Sequence, residues 1–193
     1  MPVIRAFIAI ELPQQIHQRL DQVISQLKNR LEGSTIRWVP AENIHLTLKF
    51  LGEISSANVE IFEKLLRAEA AGCSHFEISV GGLGAFPNAH NPRVIWIGVE
   101  APSDLIGLQH LIEAATERLG YMKEDKPFSP HLTLGRVSRN ATPRDARLIG
   151  EVLESTKVGF LGAAHISAVH LFKSDLRTTG SIYTKFFSAP LQD

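Results

Sequence analysis

Two copies of one tetrapeptide stand out as chemistry: His45-Leu46-Thr47-Leu48 and His131-Leu132-Thr133-Leu134, 86 residues apart. A chain with 8 His among 193 residues produces one such string rarely and two hardly ever. Side chains alternate faces along a strand, so His45 and Thr47 share one face while Leu46 and Leu48 take the other. His131 and Thr133 repeat the arrangement. The leucines then anchor each strand in a core, and each His/Thr pair faces a cleft. An imidazole titrates near neutrality, so it can take a proton or give one. Two imidazoles in opposite states, one on each side of a phosphorus, form a complete acid/base device. The threonine hydroxyls can donate to the non-bridging oxygens, where charge builds in the transition state. That set suits the opening of a phosphodiester and requires no metal.

Other motif readings are weaker. A metal site wants three or four convergent ligands. His165 and His170 are only five apart, and neither a His-Glu-x-x-His string nor a cysteine pair occurs. No metal or other cofactor is expected. Gly81-Gly82-Leu83-Gly84 lacks the dinucleotide fingerprint and reads as a turn between strands. Ser129 precedes Pro130 and has no nucleophile-elbow context. His17, His75, His90, His110, His165 and His170 read as surface or packing residues. Strict alternation puts Phe50 on the core side of the first motif strand and Lys49 on its polar side.

The elements that must position the motifs also repeat. Phe7-Ile8-Ala9-Ile10-Glu11-Leu12-Pro13 resembles Trp96-Ile97-Gly98-Val99-Glu100-Ala101-Pro102, an apolar strand ending at Glu and then Pro at a helix start. Helical spacing follows in Ile16, Leu20, Val23, Ile24, Leu27 and Leu31, closed by Gly33. The second copy has Leu105, Leu108, Leu111, Ile112, Ala115 and Leu119, with Ser103 as N-cap and Gly120 as stop. After each motif comes another helix, marked by Val59, Phe62, Leu65 and Leu66 and by Ala146, Ile149, Val152 and Leu153. Thr142 caps the latter ahead of Pro143. Strands at Phe76–Val80 and Ile166–Phe172 close the halves, and Ser181–Ser188 adds one more. The expected fold is α+β, a single compact domain over 1–193 built from two pseudo-symmetric lobes, about 1–90 and 91–193. Each lobe is a small, mainly antiparallel sheet backed by helices, with the cleft between lobes.

Composition sets bounds on partners. The formal net charge is zero, so no global basic field announces nucleic acid, and any RNA contact is local and small. The lone Cys73 excludes an internal disulfide and fits a reducing compartment. The N-terminus does not read as a signal peptide, and no apolar run reaches membrane-spanning length. A cytoplasmic location with no membrane or obligate protein partner is expected.

The chain resembles the two-histidine (2H) phosphoesterase superfamily, defined by paired His-x-Thr/Ser-x motifs. More narrowly, it is similar to the RNA 2',3'-cyclic phosphodiesterases long called 2'-5' RNA ligases. The resemblance includes Arg5-Ala6-Phe7-Ile8-Ala9-Ile10, Trp38-Val39-Pro40-Ala41-Glu42-Asn43-Ile44, Lys49-Phe50-Leu51-Gly52-Glu53, Pro127-Phe128-Ser129-Pro130, Gly135-Arg136, Leu171-Phe172-Lys173-Ser174-Asp175-Leu176 and Gly180-Ser181-Ile182-Tyr183. It implies metal-independent hydrolysis of an RNA terminal 2',3'-cyclic phosphate to a 2'-phosphate. It also implies His45 as proton donor, His131 as proton acceptor, Thr47 and Thr133 as phosphate ligands and Arg136 as a further phosphate contact. Strict alternation puts Arg136 on the face opposite His131, so the strand must twist or end near Gly135 for that role. The partner implied is an RNA 3' end with a 2',3'-cyclic phosphate, or a small nucleotide. Phe7 and Phe50 are candidates to stack on its bases. The alternatives are 2'-5' ligation of RNA ends, hydrolysis of 2'-5' linked oligonucleotides, and a non-catalytic RNA-end binding module.

Overall fold

The computed structural model describes residues 2–177 and 180–193. In chain order the elements are β1 (Val3–Ile10), α1 (Gln14–Arg30), β2 (Ile36–Trp38), β3 (Leu46–Ser55), α2 (Val59–Ala70), β4 (Phe76–Phe86), β5 (Val94–Glu100), α3 (Ser103–Arg118), β6 (His131–Val137), α4 (Pro143–Ser155), β7 (Phe160–Ile166), β8 (Ala168–Arg177) and β9 (Gly180–Pro190). A short 3-10 turn, Ala41–Asn43, leads towards β3, and another, Ser56–Asn58, follows it.

The expected α+β class is what the structure has: two antiparallel sheets backed by four helices. One sheet runs β3-β1-β8-β9 and the other β2-β6-β5-β4-β7. Helices α2 and α3 pack on the first sheet, and α1 reaches β7 of the second. The helices form for the expected reasons. Ile16, Leu20, Val23, Ile24 and Leu27 bury one face of α1. Thr142 and Asp145 form a reciprocal capping box at the start of α4, with Thr142 N–H donating to Asp145 at 2.7 Å. Helix α3 starts one residue earlier than expected, with Pro102 rather than Ser103 at the cap.

The sheets do not follow the two halves of the chain. Set side by side, β3-β1-β8-β9 corresponds to β6-β5-β4-β7, with β2 as an addition. The repeat is real, but each half sends its closing strands to the other's sheet. A lobe boundary near residue 90 is therefore corrected: β8 and β9 join β1 and β3, while β2 and β4 join β5 and β6. The physical reason is edge pairing. A β1–β3 pair leaves one edge of β1 with open N–H and C=O groups, and β8 covers it. The expected strand Ile166–Phe172 is likewise two strands of different sheets, separated at Ser167. The Gly81–Gly84 stretch is not a turn; it is a bulge inside β4, with Gly82 at φ 75°. Gly84 is bare because the Trp96 ring lies across it, and a Cβ there would come within 2.4 Å of that ring.

Candidate active site

Both motif strands carry the same irregularity just after the threonine. In β3, Thr47 pairs with Ala9 but Lys49 pairs with Ile8, so Leu48 is an extra residue. In β6, Thr133 pairs with Trp96 but Gly135 pairs with Ile95, so Leu134 is extra. A bulge of this kind reverses the parity of the residues that follow it, in β3 as far as a second bulge at Leu51. His45 lies just before β3 and His131 opens β6. Thr47, Thr133 and the two residues beyond the bulges, Phe50 and Arg136, then occupy the faces opposite the core.

This settles two expectations differently from strict alternation. Arg136 pairs with Val94, in line with Trp96 opposite Thr133 and Gly98 opposite His131, so it shares their face. Its side chain is exposed. The core side of the same ladder is held by Ile95 and Ile97. In β3 the reversal goes the other way for Lys49, which is 2% exposed and lies on the core side opposite Ile8. Its Nζ meets Glu113 Oε1 at 2.5 Å and donates to the Met122 carbonyl at 2.6 Å. Glu113 also accepts from Gln109 and from the Glu124 N–H. Phe50, expected inside, is 54% exposed and lies beside Phe7.

The two histidines are held in the same way. His45 Nδ1 lies 2.9 Å from the Asn43 carbonyl, and His131 Nδ1 lies 2.7 Å from the Ser129 carbonyl. In each case the partner is the oxygen two residues upstream. A carbonyl only accepts, so Nδ1 carries the proton and donates. That fixes the tautomer and leaves Nε2 as the unprotonated nitrogen in both neutral rings. The strands β3 and β6 touch each other across the junction of the sheets.

The surroundings differ. The His45 ring stacks on Phe7 at 4.6 Å and receives the edge of Tyr183 at 5.0 Å. Phe172 stacks behind Phe7. Burial pulls this imidazole from its usual 6.5 down to about 4, with the Asn43 carbonyl pulling back, His17 adding to the fall and Glu11 opposing it. His131 is less enclosed, with the Phe86 ring 4.9 Å away. Burial again lowers its pKa, the Ser129 carbonyl opposes, and the Arg136 charge lowers it further. Trp96, opposite Thr133, has a buried indole Nε1 with no hydrogen-bond partner among the described residues.

Three residues around the first motif escape a reading of the sequence. His17, on α1, bonds the Ala41 carbonyl at 2.6 Å and the Leu12 carbonyl at 3.1 Å. It thereby pins the 3-10 turn whose last residue, Asn43, holds His45. His170 lies next to Ala9 on the ladder that carries Thr47, bonded to Ser188 and 3.6 Å from Glu11. Tyr183 arrives from β9. For His17 and His170 only contacts in space mark a role; Tyr183 lies in a segment of the family resemblance, but its place against His45 comes from the fold. Among the described residues, no group of three or more His, Cys, Asp or Glu is placed to hold a metal. Among the same residues, no helix is long and apolar enough to cross a membrane.

The doubled strand, the doubled bulge and the doubled Nδ1 anchor define a two-lobed phosphoesterase fold. The chain matches the LigT-like phosphoesterase family model over residues 10–96. A curated relative from Methanothermobacter thermautotrophicus, named RNA 2',3'-cyclic phosphodiesterase, is 36% identical over 94% of this chain and 95% of its own. The crystal structure of TT0787 of Thermus thermophilus superposes with a TM-score of 0.81 at 26% identity, covering 98% of both chains. E. coli LigT in complex with NADP+ superposes at 0.74, with 26% identity and complete coverage of both. The chain belongs to this family of LigT-like phosphoesterases.

Proposed function

We propose that the chain hydrolyses the 2',3'-cyclic phosphate at an RNA 3' end to a 2'-phosphate, without a metal. The observation that carries this reading is the matched pair of histidines, each with Nδ1 tied to a carbonyl and Nε2 free. The name of the relatives supports the substrate class.

The proton balance closes with this chain's own groups. Water attacks phosphorus and loses its proton to His131 Nε2. His45 Nε2 delivers a proton to the departing 3'-oxygen as the P–O3' bond breaks. The product carries a 2'-phosphate and a 3'-hydroxyl, and the two imidazoles have exchanged protonation states. Solvent exchange then restores them. Thr47 and Thr133 donate to the non-bridging oxygens, and Arg136 neutralises phosphate charge.

The assignment of roles has a physical logic. Arg136 beside His131 disfavours an imidazolium there, which suits a base. His45 is the harder case, because burial holds it neutral in the free protein. The docked phosphate supplies the anion that lets it charge, so the acid is armed by its own substrate. Phe50, exposed beside the site, is placed to stack on a base. Phe7 is not, since it is covered by His45 and Phe172. A cytoplasmic setting suits a chain with a single cysteine.

The test is turnover of an RNA ending in a 2',3'-cyclic phosphate, in EDTA, across pH 5 to 9. The expected kcat/KM profile is bell-shaped, from one imidazole that must be neutral and one that must be charged. A flat profile, or activity that vanishes in EDTA, would sink the scheme.

A further inference from the structure

Strand β2 has no counterpart in the other sheet, and its middle residue is Arg37. Arg37 pairs directly with Arg136 across the β2–β6 ladder. Directly opposed residues of an antiparallel pair share a face, so both guanidinium groups lie on the side of His131 and Thr133. The flanking pairs confirm the parity: Ile36 faces Val137, and Trp38 faces Gly135 and packs against the core. Both arginines are exposed, and neither has an ion-pair partner among the described residues.

Two like charges directly opposed on a sheet oppose folding. No fold requirement puts a cation at Arg37, because its face is open. An anion lying between the two would turn the repulsion into attraction. One anion, the scissile phosphate, is already served by His131, Thr133 and Arg136 in the proposed reaction. The neighbouring strand lies only about 4.8 Å further out, so Arg37 extends the cationic surface away from the reacting phosphorus. The opposite sheet differs: the place of Arg136 there is taken by Phe50, and among the described residues no added strand covers that edge.

We infer that Arg37, next to Arg136 at the scissile phosphate, binds the phosphodiester immediately 5' of the terminal nucleotide, so that the chain prefers an RNA strand to a free cyclic nucleotide. This rests on the function proposed above. The RNA backbone would leave the site over the β6–β2 edge, with the cationic contacts confined to that side. A neutral protein can hold a polyanion in this way, because the charge is local.

The experiment compares kcat/KM for a short RNA ending in a 2',3'-cyclic phosphate with that for a mononucleoside 2',3'-cyclic phosphate. In Arg37→Gln the preference for the RNA falls about tenfold, and the salt dependence of oligomer binding flattens by roughly one phosphate contact. Arg37→Glu deepens the loss, and Arg37→Lys restores most of it. The same Arg37→Gln protein melts at the same or a higher temperature, since it loses a like-charge contact. That combination separates a binding role from a structural one. If both substrates lose equally, Arg37 acts at the scissile phosphate and the subsite is overturned; if neither changes, Arg37 does not touch RNA. Should the wild-type protein turn over neither substrate, the proposed function fails by itself. Anisotropy binding of an RNA ending in a 2'-phosphate, wild type against Arg37→Gln, then decides the subsite separately, with equal affinities ruling it out.

Discussion

The surroundings of His45 and His131 make the most instructive comparison in the molecule. Both histidines use Nδ1 on the carbonyl two residues upstream, and both strands bulge at the leucine after the threonine. Divergence starts one residue later. Where β3 has Lys49 sunk against Glu113, β6 has Gly135, whose missing side chain leaves room for Ile36 and Trp38. Where β3 shows Phe50, β6 shows Arg136. Under the proposed function, the duplicated part sets the geometry of proton transfer, and the diverged part divides the ligand into a base side and a phosphate side. Enclosure differs too: Phe7, Phe172 and Tyr183 surround His45, whereas His131 has Phe86 and a nearby cation.

The largest expected effect tests the shared part. His45→Ala and His131→Ala should each lower kcat by about 10²–10⁴-fold, measured on cyclic-phosphate RNA. A large loss in only one of them would break the equivalence. Next comes Lys49. Lys49→Met leaves Glu113 buried without its cation and should cost about 3–5 kcal/mol in denaturant unfolding. The double variant Lys49→Met with Glu113→Leu should recover most of it, because the buried charges then disappear together. No single residue of the β6 half should show such a rescue.

A smaller effect separates the two sides of the ligand. Phe50→Ala should weaken binding by about 1–3 kcal/mol if a base stacks there, with kcat little changed. Arg136→Gln should instead depress kcat, since it neutralises charge that grows in the transition state. Equal KM effects from both would erase the proposed division. A last effect concerns acidity and is spread over a pH range. An imidazole held at about 4 when folded, against 6.5 when free, stays neutral while the unfolded chain takes up a proton. Stability is therefore full above pH 6.5 and declines as the pH falls towards 4, by up to about 3 kcal/mol from this group. His45→Gln should flatten that decline more than His131→Gln, read from urea unfolding at pH 7 and pH 4.5. An unchanged slope in His45→Gln would contradict the burial argument.

Much of this was legible in the chain itself. Alternation in His-Leu-Thr-Leu was enough to place Leu46 and Leu132 in the core and the threonines opposite them. The apolar spacing of α1 and the Thr142 cap of α4 are local signals, and they held. Two kinds of information were not local. A bulge depends on the register with the neighbouring strand, so Lys49, Phe50 and Arg136 came out on the faces opposite to simple alternation. Sheet membership depends on which edges are left open, so the repeat showed equivalent strands without showing that they cross over. His17, His170 and Tyr183 belong to the site only through contacts with segments distant in sequence.

That crossover has a consequence for how the protein comes into being. Phe172 and Tyr183, which enclose His45, leave the ribosome more than a hundred residues after it. Until β8 emerges, β1 has no partner on one side, and the first histidine sits in half a pocket. Pairings of such long sequence separation are formed slowly, because the loop must close before the contact rewards it. The pocket around the first histidine therefore cannot form before β8 and β9 are made: a nascent or truncated product ending before β8 holds both His-Leu-Thr-Leu strings and lacks the enclosure that tunes the first.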